Sequence, residues 1–196
     1  GRLFAFDAST DNILEINPTT GAIIRSYPSP VADTGSPDAG LATTNNTVIV
    51  GGTGSLLYEI NPDTGATIRT INSSMTFGVS GLAFGNSEIY VLTDDTSTGN
   101  LRVIDYATGS LKRTVTLSLT TYEALANSKR GLLGYSGSSI YSINTTTGAM
   151  TSLGATSYPE GLATLGDELF VSTGSSVSVY DINTFASKRT FSISMD

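Results

Sequence analysis

Apolar residues in this chain fall in short runs that alternate with polar ones, two by two along the backbone. In one such run Leu111, Arg113, Val115 and Leu117 share a face and Lys112, Thr114 and Thr116 share the other, the period of a half-buried strand. Helical spacing is poor everywhere; 122–127 is the one helical candidate, and it aligns with strands elsewhere. Between runs stands a recurring phrase. Tyr58-Glu59-Ile60-Asn61-Pro62-Asp63-Thr64-Gly65 is its fullest form, repeated as Ile16 to Gly21, Ile104 to Gly109 and Ile143 to Gly148. A fifth copy, Tyr180 to Phe185, has lost the glycine. Asn or Asp opens such a turn through its side chain, and Gly closes it at positive φ.

The closing positions, Gly21, Gly65, Gly109, Gly148 and Phe185, are separated by 44, 44, 39 and 37 residues. A period near 40 with four short strands per unit marks a β-propeller blade. A second phrase keeps the same beat: Gly40-Leu41-Ala42, Gly81-Leu82-Ala83, Ala124-Leu125-Ala126 and Gly161-Leu162-Ala163. Its small first residue suits the crowded innermost strand. The pattern predicts a single all-β domain, a five-bladed β-propeller of four-stranded antiparallel blades, over about 1–27, 39–72, 80–117, 123–153 and 160–194. In the blade over 80–117 the strands are expected at Gly81–Phe84, Glu88–Thr93, Leu101–Tyr106 and Leu111–Leu117. A two-sheet sandwich would not require the regular period.

Blade 1 has no Gly-Leu phrase, so it is expected to lack its inner strand and leave the backbone of Arg2 to Ala8 open on one side. The tail from Ser192 to Asp196, further residues or a neighbouring subunit could complete it; closure within one chain is the expectation. Donation by a neighbour would build a filament.

Composition narrows the chemistry. There is no Cys, His or Trp, which removes thiolate catalysis, disulfides and the commonest general base and metal ligand. The net charge is −7 without basic clusters, which argues against nucleic acid. No run is long enough to be a membrane span. Abundant Ser and Thr with few charges point to an extracellular or cell-surface setting. Sequons occur at Asn45, Asn72 and Asn144. Lys112-Arg113 and Lys188-Arg189 recur at equivalent outer-strand positions, where basic residues protect an edge.

The blades resemble the NHL, YVTN and quinoprotein-type propeller repeats, in which a strand ends in a V-x-D-x-x-T-G-type turn. In blade 5, Tyr158-Pro159-Glu160-Gly161-Leu162 and Glu168 to Gly174 are similar to phrases of plant-type glutaminyl cyclotransferases, themselves five-bladed propellers. Glu160 stands where that family has Gln, and its Trp-bearing phrases have no counterpart here. The likeness implies shared blade grammar.

Propellers bind ligands where the links into the inner strands ring the channel mouth. Those links carry Asp38, Phe77, Ser80, Tyr122, Glu123, Tyr158 and Glu160 as candidate ligand-binding residues: carboxylates for a cation or a shared proton, tyrosines for a sugar ring. Asp94, Asp95 and Asn100 sit in a loop with the oxygen donors of a Ca²⁺ site, and Asp7 to Asn12 is a weaker version of it. No catalytic residue is nominated, because no His can serve a Ser nucleophile. The expected role is a non-catalytic structural or interaction module, with a protein partner, self-association or a glycan as its target. No cofactor is required, and Ca²⁺ is the candidate ion. The alternatives are a carboxylate-based propeller enzyme of cyclotransferase or lyase type and a lectin.

Overall fold

Every repeat folds into an antiparallel sheet whose strands are joined in chain order. In the computed structural model, which describes residues 1–32, 39–73, 78–93, 99–118, 124–155 and 159–193, blade 1 holds β1 (Leu3–Asp7), β2 (Asn12–Ile16) and β3 (Ile23–Pro28). Blade 2 holds β4 (Gly40–Thr43), β5 (Val48–Gly51), β6 (Leu56–Ile60) and β7 (Thr67–Asn72). Blade 3 comprises β8 (Val79–Gly85), β9 (Glu88–Thr93), β10 (Asn100–Asp105) and β11 (Leu111–Thr116). Blade 4 runs through β12 (Leu125–Ser128), β13 (Gly131–Ser136), β14 (Ser139–Ile143) and β15 (Met150–Ala155). Blade 5 is β16 (Gly161–Leu165), β17 (Glu168–Thr173), β18 (Ser176–Asp181) and β19 (Ser187–Ser192). Four sheets have four strands and blade 1 has three, in the order β1-β2-β3. The predicted elements hold, and 125–128 is an inner strand, not a helix.

The recurring phrase makes one turn five times. Its first side chain accepts the backbone N–H groups two and three residues on, as Asn17 Oδ1 does from Thr19 (2.9 Å) and Thr20 (3.1 Å). Its carbonyl accepts the N–H of the closing residue, at 2.8 Å for Gly65 to Asn61 and for Phe185 to Asp181. Phe185 therefore keeps the left-handed conformation, at φ 57° against 77° for Gly21, despite carrying a side chain.

These turns are where blades meet. Arg25 of blade 1 donates to the Pro62 carbonyl of blade 2 at 2.9 Å, and Arg69 of blade 2 to Tyr106 of blade 3 at 2.6 Å. Arg113 donates to Thr145 of blade 4 at 3.2 Å, and Arg189 of blade 5 closes the ring on Pro18 of blade 1 at 2.9 Å. All four carbonyls belong to the second residue of the turn. Blade 4 has Thr151 at the outer-strand position of these arginines, opposite Ser142 as Arg113 is opposite Val103. Arg130, from the turn before β13, replaces it and donates to Ile182 (3.2 Å) and Asn183 (3.0 Å) of blade 5.

Acids hold the arginines in place. Glu88 accepts from Arg113 Nη1 (2.9 Å) and Nη2 (3.1 Å), Glu168 from Arg189 (2.6 and 2.7 Å), and Glu59 from Arg69 Nε (2.6 Å). Lys112 and Lys188 join Glu88 and Glu168, each at 2.7 Å. The two Lys-Arg pairs thus serve the joints between blades, a role beyond edge protection.

Size complementarity does the rest. A Cβ on Gly65 would lie 2.9 Å from Tyr27, and one on Gly21 2.6 Å from Phe191, so the turn must be bare where the preceding blade's outer strand is bulky. At the joint of blades 4 and 5 the sizes are exchanged. Gly154 occupies the outer-strand position of Tyr27, Ile71, Val115 and Phe191, and Phe185 on the turn joins a cluster with Leu133, Ile140 and Leu153. Arg130 lies over its ring, 5.6 Å from the centroid. That is why the fifth turn can lose its glycine.

Two outcomes follow from this joint chemistry. Phe185→Gly should lower stability although glycine suits the backbone. The buried part of the about 3–5 kcal/mol that a core Phe contributes exceeds the about 1–2 kcal/mol of left-handed strain it relieves; urea denaturation measures the net. Arg113 first, then burial opposing it and Lys112 and Tyr90 assisting, set the Glu88 pKa to about 2. Arg189 and then Lys188 outweigh burial and bring Glu168 to about 2. Both lie below the ordinary 4.5, so their stabilisation is complete above pH 4.5 and is lost as pH falls through about 2. Thermal melts should be level from pH 7 to 5 and fall below that, and Glu168→Gln should flatten the fall.

Candidate functional site

The inner strands converge on an axis, and their small residues are what allow it. A Cβ on Gly81 would meet the backbone of Leu125 at 3.1 Å and of Ala124 at 3.2 Å, in the neighbouring blade. Around the axis lies a cavity of ≈ 680 Å³ walled by β4, β8, β12 and β16 and, on the side of blade 1, by β1. This volume is within the about 300–1,000 Å³ of ligand-sized cavities.

The wall is asymmetric. In blades 2, 3 and 4 only inner-strand residues and their flanks border the cavity. At the joint of blades 5 and 1 the border reaches deeper, to Leu14 and Ile16 of β2, Phe170 of β17, Val177 of β18 and Ile193. β1 pairs with β2 and, among the described strands, with no other. Every residue of β1, from Leu3 to Asp7, borders the cavity.

The described carboxylates of the wall are occupied. Asp7, 5% exposed, accepts from Ser9 N (2.9 Å), Ser9 Oγ (2.7 Å) and Thr10 Oγ1 (2.7 Å), tying the hairpin that follows β1. Burial alone would raise its pKa; the hydrogen bonds from Ser9 and Thr10 outweigh it and hold the carboxyl below its ordinary value. Glu160 Oε2 accepts the Gly174 N–H at 2.6 Å, capping the turn between β17 and β18. Arg2, at the other end of β1, grips Glu15 at 2.6 and 2.7 Å and lies 5.0 Å from the Phe4 centroid.

Of the residues predicted from sequence, Ser80 and Glu160 line the cavity, beside Ala39 and Ala124 from the corresponding links. Asp38, Phe77, Tyr122, Glu123 and Tyr158 lie outside the described residues, as do Asp94 and Asp95. Asn100 opens β10, paired with Thr93 and Thr116, away from the cavity wall. Among the described residues no three acids come together as a metal site would require. Sequence reasoning missed the fixed roles of Asp7 and the arginines. The signal was present: Arg25, Arg69 and Arg113 repeat at the same 44-residue spacing as the turn glycines.

No protein-family model matches this chain, and no curated protein does. Solved structures match it nearly end to end. A chain of the nidogen/laminin complex superposes with a TM-score of 0.68 at 15% identity, over 97% of this chain and 75% of that one. Glutaminyl cyclase from Myxococcus xanthus gives 0.68 at 14% identity, over 98% of this chain and 85% of the enzyme. At such identities the shared property is the fold. The chain is a five-bladed β-propeller. The likeness to a cyclase agrees with the blade-5 phrases in architecture, and Glu160, which stands where the cyclotransferase phrase has Gln, accepts the Gly174 N–H through Oε2.

Removing a cap loosens one hairpin. Asp7→Asn should lower the melting temperature, with loss of about 1 kcal/mol or somewhat more for the charge-assisted bonds. Protease cleavage should then start in the β1–β2 turn; an unchanged melt would show that the three hydrogen bonds contribute nothing.

Proposed function

We propose that this propeller is a non-catalytic, extracellular interaction module whose working surface is the axial cavity and its open side. The observation that carries the reading is the occupation of Asp7 and Glu160. Asp7 is bound within its own hairpin and Glu160 Oε2 caps the turn between β17 and β18, so both described carboxylates of the wall serve the fold. What the wall offers instead is apolar surface, small side chains and the edge of β1, unpaired among the described strands, features that bind polypeptide. A surface rich in Ser, Thr and Asn with few charges supports the extracellular setting.

The competing reading, a cyclotransferase, rests on the fold shared with glutaminyl cyclase, and one fold hosts many activities. Incubating the protein with a peptide that begins in Gln separates the two. The expected outcome is pyroglutamate formation no faster than in buffer. Turnover above buffer that is lost in Glu160→Gln would make the protein an enzyme.

A further inference from the structure

We propose that β15, the outer strand of blade 4, pairs antiparallel with the β15 of a second copy, joining two propellers edge to edge about a two-fold axis. The inference concerns the rim of the ring and does not rest on the axial cavity.

Every blade ends in an outer strand with a free edge, and four of the five carry charge there. β3 holds Arg25, β7 Arg69, β11 Lys112 and Arg113, and β19 Lys188 and Arg189. β15, reading Met-Thr-Ser-Leu-Gly-Ala, holds none. The neutrality extends inward, since no Asp, Glu, Lys or Arg occurs from Gly131 to Ala155, the whole of β13, β14 and β15. The strand can do without its arginine because Arg130 makes the joint to blade 5 in its place.

Backbone geometry separates the same strand from its four sisters. In β3, β7, β11 and β19 the register skips one residue directly after the turn: Ile24, Ile68, Lys112 and Lys188. Such a bulge twists an edge away from further pairing. β15 leaves the turn in straight register, Met150 opposite Ile143, Thr151 opposite Ser142 and Ser152 opposite Tyr141, and its bulge comes only at Leu153. Thr151 and Ser152 are exposed, and β15 pairs with β14 and, among the described strands, with no other. Charge and bulge, the two devices that keep edges apart, are both missing over Met150–Ser152.

Neutrality selects the occupant. A two-fold axis sets a strand against its own copy, so a charged edge meets its own charge and is repelled. A foreign strand could answer a charged edge with the opposite sign and would not need β15 to be bare. Thr and Ser also hydrogen-bond to one another across antiparallel strands. Because the straight edge is short, the contact is weak and reversible.

Sedimentation of the intact protein from about 1 μM to about 1 mM tests this. The mass should rise with concentration from one chain to two and stop there. Hydrogen exchange should slow with concentration in β15 and leave the other outer strands unchanged. Thr151→Lys should weaken association about tenfold or more while keeping the circular dichroism and melting temperature of the dilute parent. Ile68→Lys, the same change on β7, should leave the dimer intact. A monomer at every concentration would overturn the proposal, as would a dimer undiminished by Thr151→Lys or growth beyond two chains. Should Thr151→Lys disturb the fold, the exchange experiment on the parent decides: protection gained elsewhere than β15 would equally overturn it.

Discussion

The ring depends on one contact made five times: an arginine reaching across a blade joint to the carbonyl of the second turn residue. A propeller has no single core; it has one apolar seam per joint, and each seam needs the right rotation between neighbouring sheets. At Arg69, Arg113 and Arg189 a guanidinium held by an acid of its own blade donates to a carbonyl of the next, which sets that rotation with directional bonds. The contact is half-shielded from water, so it is stronger than an exposed surface pair. Arg189 makes the same contact onto Pro18, so the joint of blades 5 and 1 carries it too although blade 1 is a strand short.

How much of this could be read from the residues follows from how local each cause is. The turns were legible because Asn61 and Gly65 act within a few positions of one another, and so was the blade count, which needs only their spacing. The arginines recur at that spacing, yet their partners lie in the next blade, and an outer-strand Lys-Arg pair in isolation reads as edge protection. The fifth turn shows the limit best. The loss of glycine at Phe185 was plain, whereas its compensation is split between Gly154 and Arg130, far apart in the chain and meeting only across the joint. The candidate site was legible as a location, the links into the inner strands. That Glu160 is a backbone cap and not a free carboxylate depends on where Gly174 lies in space.

Blade 1 gives the molecule its asymmetry. Four blades present inner strands to the axis, and blade 1 presents β1, which among the described strands pairs only with β2. In four joints an inner-strand leucine packs against the preceding blade, and at the joint of blades 5 and 1 Phe170 and Val177 are buried against Leu3, Leu14, Ile16 and Ile193 instead.

The claim that β1 is open while the ring is closed is tested most directly by hydrogen–deuterium exchange of the free protein, read residue by residue along the second strand of each blade. Two faces of pairing protect β5, β9, β13 and β17, so their amides should exchange slowly throughout. In β1 the account predicts slow exchange at the amides bonded to β2 and fast exchange at the alternate ones, with the Arg189 and Pro18 joint as well protected as its four sisters. Uniform protection of Leu3–Asp7 at the level of β17 would contradict it, since it would mean that the second edge of β1 is paired.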